Sequence, residues 1–198
     1  MTDRKRRSGA VSATEFMAQL AKDKEYQRKR AAFDAGVQER AGVLRTAEQP
    51  IVAALRSVGA EIDSVWDLAN TSEPYPAALP VLMEYLERGG YPDRVMESLG
   101  RALAVKPAVG YWGRLKALYL APRNPGEEDG VAVALAACAT EAQLNDLIVF
   151  LSLSERGESR IYFLRPILNV GGQRGHEIVD SLRSDPVFGK EARSLLSS

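Results

Sequence analysis

The chain has 198 residues, of which 45% are hydrophobic, 26% are charged and 7% are aromatic. This composition supports one continuous hydrophobic core, so it excludes a mini-protein and a wholly disordered chain. The 26 basic and 26 acidic residues cancel, and the single cysteine excludes an internal disulfide bond. We therefore expect a cytoplasmic protein, with no membrane-spanning segment because no run of about 18 apolar residues occurs.

Charge is distributed unevenly along the chain. Residues 1–45 contain 11 Lys and Arg and 6 Asp and Glu, whereas residues 46–198 contain 15 and 20. A basic segment favours nucleic acid or an acidic partner, because its cations displace counterions from phosphates. Charged termini are common, however, and a solvated terminus is the favoured interpretation. We expect a flexible basic tail over residues 1–11, and phosphate binding through residues 4–45 stays open as an alternative function.

The segment 12–70 predicts an N-terminal helical cap that includes one long charged helix. Ser12 and Glu15 have the spacing of a capping box, in which each side chain accepts a backbone amide proton at the helix start. No proline interrupts residues 13–47, so we expect a single helix there. Its apolar stripe is thin and consists of Phe16, Leu20, Phe33, Val37 and Leu44.

Three further signals complete this N-terminal part. Pro50 is typical of the first turn of a helix, which Gly59 is then expected to end. Ser64 predicts the cap of a short third helix over residues 65–70. The following segment, residues 71–76, contains two prolines and predicts a linker.

From residue 75 onward the chain repeats with a period of about 32 residues. Apolar side chains recur at intervals of 31–33 residues in two series, each built from i, i+4 pairs on helices. The A ladder consists of Leu82, Leu115, Leu147 and Ile178, followed one turn later by Leu86, Tyr119, Leu151 and Leu182. The B ladder consists of Leu99, Val131, Leu164 and Leu195, followed four residues later by Leu103, Leu135 and Leu168.

Each repeat therefore predicts a helix A, a turn, a helix B and a second turn. One such pair cannot bury its apolar stripe alone, whereas stacked pairs bury one another's stripes. A leucine-rich helical bundle is the alternative interpretation. The predicted pairs are 78–88 with 92–105, 110–121 with 127–139, 141–154 with 159–170, and 175–183 with 187–196.

Residues 78–105 resemble a HEAT-type repeat, with an apolar helix A, a short turn that contains Asp and Arg, and a helix B that ends in small residues. The resemblance covers residues 75–198 and implies an all-α, right-handed α–α superhelix of about four pairs, a HEAT-like solenoid. Two residues depart from the pattern. Pro166 lies inside the third predicted helix B, which it is expected to kink, and Gly113 lies early in the second helix A.

Few residues suggest chemistry. The pair His176 and Glu177 is similar to the metal motifs of HEAT-type deoxyhypusine hydroxylases, but one pair supplies too few ligands for iron. Cys138 lies in an apolar helix and is expected to be a buried thiol. The glycines of residues 171–175 follow a helix, which favours a turn over a phosphate-binding loop. We therefore expect no catalytic residue, no metal and no cofactor.

HEAT-like DNA glycosylases hold a duplex against a cationic face. The repeat region here is net acidic, which disfavours such binding because acidic side chains repel phosphates. Tyr111 and Trp112 are expected to pack in the core or between repeats, since aromatic rings supply large buried area.

The resemblance implies that helices B line a concave side and that residues next to the B ladder face a partner. Arg and Tyr are frequent interface anchors, although a solvated face with intrahelical ion pairs, such as Glu97 with Arg101, is the alternative. We expect a non-catalytic protein-binding module, a scaffold or adaptor, for a protein of unknown identity. The predicted partner-binding residues are Arg94, Glu97, Arg101, Asp129, Val133, Arg160, Tyr162, Arg165 and Asn169.

Overall fold

A computed structural model describes residues 12–197, so the predicted basic tail over residues 1–11 lies outside the described residues. All regular structure in the described chain is helical, which confirms the all-α prediction. None of the described helices is both long enough and apolar enough to cross a bilayer. The α-helices are α1 (Ala13–Lys22), α2 (Lys24–Ser57), α3 (Val65–Asn70), α4 (Leu79–Arg88), α5 (Asp93–Ala102), α6 (Trp112–Leu120), α7 (Pro125–Cys138), α8 (Leu144–Leu151), α9 (Leu164–Val170), α10 (Gly172–Ser181) and α11 (Gly189–Leu196).

The chain divides into two compact units, Met1–Val43 and Leu44–Ser198. In the first unit the predicted capping box is present, because the amide of Ser12 donates to Glu15 Oε2 at 2.9 Å and the amide of Glu15 donates to Ser12 Oγ at 3.2 Å. The thin apolar stripe is exposed: Phe16 is 54% and Phe33 67% accessible to solvent.

The single helix predicted over residues 13–47 is wrong at Asp23. This residue has an extended backbone and separates α1 from α2. Its Oδ1 accepts hydrogen bonds from the amides of Glu25 at 2.9 Å and Tyr26 at 3.1 Å. Asp is a strong N-cap residue, so it satisfies the orphan amides of a new helix at this point.

A helix start at Pro50 is also wrong, because α2 continues through the proline to Ser57. The helical turns before and after Pro50 are both buried: Glu48 lies before the proline, and Ile51 and Leu55 lie after it in the core. The Glu48 carboxylate accepts the amide of Val65 at 3.2 Å, which ties α2 to the start of α3. Tertiary contacts thus outweigh the local preference of proline for a helix start.

The predictions for Gly59 and Ser64 are confirmed. Gly59 follows α2 with a φ of 92°, a left-handed conformation that glycine adopts without steric cost. Ser64 caps α3, and the carboxylate of Asp67 accepts the Ser64 amide at 2.9 Å.

The repeat region contains the predicted helix pairs α4 with α5, α6 with α7 and α10 with α11, and α8 packs on α9. The third helix B differs from the prediction over residues 159–170. A 3₁₀ segment, Ser154–Phe163, comes first, and α9 begins only at Leu164. Pro166 therefore lies in the first turn of α9, where an amide has no partner within the helix.

Both ladders form the core of the second unit. In the A ladder all positions are buried except Ile178 and Leu182, and in the B ladder all are buried except Leu168. These three are half-buried and pack against the same core. The periodic apolar positions are therefore core positions, as predicted.

The structure adds an earlier pair that the sequence analysis assigned to the cap. Ile51 and Leu55 are buried and precede Leu82 and Leu86 by 31 residues. Leu68 of α3 precedes Leu99 by the same interval, and α3 packs on α5. The C-terminal part of α2 and α3 thus continue the two ladders toward the N-terminus.

Helices α5 and α7 touch backbone to backbone. A Cβ atom on Gly130 would lie 2.6 Å from the carbonyl oxygen of Glu97, and one on Gly126 would overlap the backbone of Asp93. A Cβ atom on Gly100 would overlap the backbone of Gly130. Gly126 thus faces Asp93 and Gly130 faces Glu97, and the two residues of each pair are 33 positions apart in the sequence. Helices α5 and α7 therefore run parallel, in the register of the repeat.

Candidate partner-binding surface

The structure brings most of the predicted partner-binding residues to the outer side of α5, α7, the 3₁₀ segment and α9. We call this surface the B strip. Its members are Arg94, Glu97, Arg101, Asp129, Val133, Tyr162, Arg165 and Asn169. It has three parts that differ in charge.

The first part is an ion-paired triad on α5. Arg94 Nη1 lies 2.6 Å from Glu97 Oε2, and Arg101 Nε lies 2.8 Å from Glu97 Oε1. The Glu97 side chain is 13% exposed, so both of its oxygens are engaged close to the body of the unit. Arg94 also lies over the ring of Trp66, at 5.1 Å from the centroid. The intrahelical pair of Glu97 with Arg101 is thus present, and it fixes the positions of both guanidinium groups.

Tyr162 links the triad to the rest of the B strip. Its Oη lies 3.5 Å from Arg101 Nη2, a contact at the limit of a hydrogen bond. The Tyr162 side chain is 38% exposed. It therefore bridges α5 and the 3₁₀ segment while one side of its ring stays accessible.

The second part is acidic and centres on Asp129, near the start of α7. Burial raises the pKa of Asp129, and repulsion from Glu97 and Glu128 raises it further. Asp129 lines a shallow depression together with Glu128, Glu158, Arg123 and Arg156, so its three carboxylates outnumber its two guanidinium groups. This end of the B strip is therefore net acidic.

The third part is a groove between the C-terminal half of α7 and α9, with a volume of about 330 Å³. We call it the α7–α9 groove. Its walls are small and apolar: Val133, Ala136, Ala137, Ala139, Pro166 and Val170. Its polar side chains are Lys106, Tyr162, Arg165 and Asn169.

The two cations of the α7–α9 groove have no anionic partner in the part of the chain that the structure describes. Within residues 12–197, neither Lys106 nor Arg165 forms an ion pair, and the side chain of Arg165 donates no hydrogen bond. Arg101, in contrast, is held by Glu97. The groove therefore combines an apolar floor with uncompensated positive charge.

Arg160 does not belong to the B strip, so its assignment as a partner-binding residue is wrong. It is 8% exposed. Its Nη1 donates to the carbonyl of Leu151 at 2.9 Å, its Nε donates to Gly157 at 2.8 Å, and its guanidinium lies 5.0 Å from the ring centroid of Phe188. The 3₁₀ segment has a different angular spacing from the predicted α-helix, and it turns Arg160 inward.

The residues considered for chemistry occupy ordinary structural positions. Cys138 is buried, and burial raises the pKa of its thiol to about 11. His176 is exposed on α10. No group of three or more His, Cys, Asp or Glu residues in the described chain is placed to hold a metal ion.

Tyr111 and Trp112 pack as expected. Trp112 is half-buried, and its ring stacks on Phe150 with the centroids 6.4 Å apart. Its Nε1 donates to Asp146 Oδ2 at 2.8 Å, which joins α6 to α8. This ring therefore contributes to contacts between repeats.

Two arginines that no local sequence pattern indicated join consecutive repeats. Arg123 donates to the carbonyls of Leu86 at 2.6 Å and Glu87 at 2.7 Å, at the end of α4. Arg156 donates to the carbonyl of Leu120 at 2.7 Å, at the end of α6. The two arginines lie 33 residues apart, Arg123 between α6 and α7 and Arg156 in the 3₁₀ segment after α8. This spacing matches the repeat and could have revealed them.

The groove residues Lys106, Ala136 and Ala137 were missed as well. No local motif marks them, because the groove exists only where α7 packs beside α9. A larger depression, of about 500 Å³, lies between α3 and residues 71–75, outside the B strip.

No protein-family model, no curated protein and no solved structure matches this chain.

Proposed function

We propose that this protein is a non-catalytic protein-binding module, a scaffold or adaptor that holds a partner against the B strip. The observation that carries the proposal is the α7–α9 groove. An exposed apolar floor beside Arg165 and Lys106, neither of which forms an ion pair within residues 12–197, leaves hydrophobic area and positive charge open to a partner. Arg and Tyr in such a setting are typical anchors of protein interfaces.

We further propose that the repeats stack as a right-handed, HEAT-like solenoid with the B strip on its concave side. Two kinds of contact support this arrangement. On the A side, long side chains bridge neighbouring helices, as in the pair of Arg114 Nε with Glu87 Oε1 at 2.7 Å. On the B side, α5 and α7 meet at glycine backbones. If neighbouring helices pack more closely in the B row than in the A row, the stack curves so that the B row lies on its concave side.

The non-catalytic assignment is supported by the environment of the most nucleophilic side chain. The reactive form of cysteine is the thiolate. Because burial raises the pKa of Cys138 to about 11, this residue is a neutral thiol at physiological pH. A buried neutral thiol has neither the charge nor the access that nucleophilic catalysis requires.

A matched pair of charge reversals tests the function. Full-length protein is immobilised and used to capture proteins from native lysate, in parallel with Arg165→Glu and Lys190→Glu. Arg165 lies in the α7–α9 groove, whereas Lys190 is an exposed cation of α11. We expect Arg165→Glu to lose a specific partner that Lys190→Glu retains. Equal capture by all three proteins contradicts the choice of surface.

Phosphate binding through residues 4–45 stays a separate prediction. In the described part of this segment, Lys29 pairs with Glu25 at 2.7 Å and Arg30 with Asp34 at 3.8 Å. Capture that disappears after nuclease treatment, and that weakens steeply with salt, would favour this alternative.

A further inference from the structure

We propose that the α7–α9 groove binds an acidic linear peptide, in which an aliphatic or aromatic side chain neighbours Asp or Glu. This inference rests on the proposed function and names the chemistry of the partner. The apolar side chain would lie on the floor of the groove, and the carboxylate would pair with Arg165 and Lys106.

The floor of the groove determines the apolar half of the motif. Ala136, Ala137 and Ala139 are short, so they leave a depression between the larger Val133 and Val170. Its volume of about 330 Å³ is at the lower end of the range of about 300–1,000 Å³ for ligand pockets. One or two side chains of a peptide fill such a space. Their burial supplies affinity in proportion to the apolar area removed from water.

The charges determine the acidic half. Arg165 has no carboxylate partner in the described chain, and its planar guanidinium can donate two parallel hydrogen bonds to one. Lys106 adds a second positive charge on the same groove. The amide of Asn169 can accept from or donate to the peptide backbone. A carboxylate is therefore the complementary group, and a basic peptide would be repelled.

The same surface disfavours a nucleic acid as occupant. Single-stranded nucleic acid binds through successive aromatic platforms and a continuous cationic track. The α7–α9 groove has Tyr162 as its one aromatic lining residue among those described, and its floor is aliphatic. About 12 Å along α7 from Ala137, by the helical rise, Asp129 begins the acidic end of the B strip. A phosphate chain extending along the strip would meet this repulsion.

A peptide library tests the inference. Full-length protein is panned against phage that display random 12-residue peptides, and the enriched sequences are synthesised with a fluorescein label for anisotropy titrations. We expect enriched peptides to place Asp or Glu next to Leu, Ile, Met or Phe. We expect Arg165→Glu to weaken their binding by about tenfold or more, whereas Lys190→Glu, with the same change in charge, leaves it unchanged.

A second variant, Ala137→Phe, fills the floor of the groove without altering charge and is expected to weaken the same peptides. Far-UV circular dichroism and melting curves establish that each variant is folded. Neutral or basic peptides that lose affinity with Ala137→Phe would overturn the acidic motif while leaving the protein-binding function intact. Peptides that bind both groove variants as well as they bind the unaltered protein would overturn the surface itself.

Two further outcomes also decide the matter. The absence of any enriched peptide overturns the inference, because a groove that binds acidic linear peptides should select some of them from the library. Binding of a fluorescein-labelled single-stranded DNA that is lost with Arg165→Glu overturns it in favour of a phosphate ligand.

Discussion

The two rows of helices in the repeat region are held together by different means. In the A row, charged and polar side chains reach between neighbours, as Arg114 does to Glu87 and Arg174 does to Asn145 at 3.0 Å. In the B row, α5 and α7 are in direct backbone contact at Gly100 and Gly130. Both rows share the buried core, but the polar bridges of the A row can be weakened by salt and pH, whereas the contact between α5 and α7 depends on steric fit.

This difference supports the proposal that the binding surface lies on the B row. Steric fit between backbones holds helices in fixed positions, so side chains that project from α5 and α7 keep their relative geometry. Interfaces gain affinity from such preorganisation. The exposed ion pairs of the A row contribute little to stability and restrain their helices less.

The largest expected effect comes from the core beneath the B row. Leu164 is fully buried in α9, so Leu164→Ala leaves a cavity and is expected to cost about 2–5 kcal/mol of unfolding free energy. Urea denaturation measures this value. Leu168→Ala, at a half-buried position of the same helix, is the matched control and is expected to cost less. Equal and small costs at both positions would mean that the B ladder is not core.

The steric contact itself is tested by Gly100→Ala. The added methyl group would overlap the backbone of Gly130, and overpacking of this kind typically costs about 1–3 kcal/mol. Gly113→Ala on α6 is the control, because no atom lies within 4 Å of its added methyl group. Gly113→Ala is expected to be neutral or to stabilise by up to about 1 kcal/mol. Thermal melts in which both variants behave alike would contradict backbone contact in the B row.

Substitution of an ion-paired residue in the A row is expected to change the free energy of unfolding less. The hydrogen bonds from Arg114 lower the pKa of Glu87, so this pair stabilises the fold above the ordinary pKa of Glu and loses its contribution as pH falls through the lowered value. Solvent screens the pair, and we expect Glu87→Ala to cost up to about 1 kcal/mol. Glu84→Ala removes an ion pair within α4 alone and is the control. Unfolding free energies measured against salt and pH distinguish them.

The smallest effect is expected at Asp129. Burial, together with Glu97 and Glu128, raises its pKa, so its charge destabilises the folded state at neutral pH. Asp129→Asn is therefore expected to stabilise by about 0.5 kcal/mol or less, since much of the group is solvated. The gain should shrink as pH falls through the raised pKa and vanish below the ordinary value of 3.8. A gain that persists in acid would point to a cause other than charge.

Local and periodic signals in the sequence predicted much of this fold. The caps at Ser12 and Ser64 depend on side chains within three residues, and the ladders depend on a regular period. Both could therefore be predicted from the sequence. The break between helices at Asp23 could not be predicted, because it is decided by hydrogen bonds that compete with those of a continuous helix. The continuation of α2 through Pro50 could not be predicted either, because it is decided by burial against distant residues.

The candidate surface was partly predictable for the same reason. Positions on regular helices, such as Arg94, Arg101 and Arg165, could be assigned to the outer face from helical spacing. Arg160 could not, because a 3₁₀ segment replaces the expected α-helix there. Lys106 and the alanine floor of the groove depend on how α7 packs beside α9, and no periodicity in the sequence encodes that contact.

The most direct measurement is site-specific photo-cross-linking of the full-length protein in native lysate. A benzoylphenylalanine residue replaces either Tyr162, 38% exposed in the B strip, or Val149, 53% exposed on α8 of the A row. The account predicts a discrete cross-linked adduct from position 162 and none from position 149. An adduct formed only from position 149, or equally from both, would contradict partner binding at the B strip.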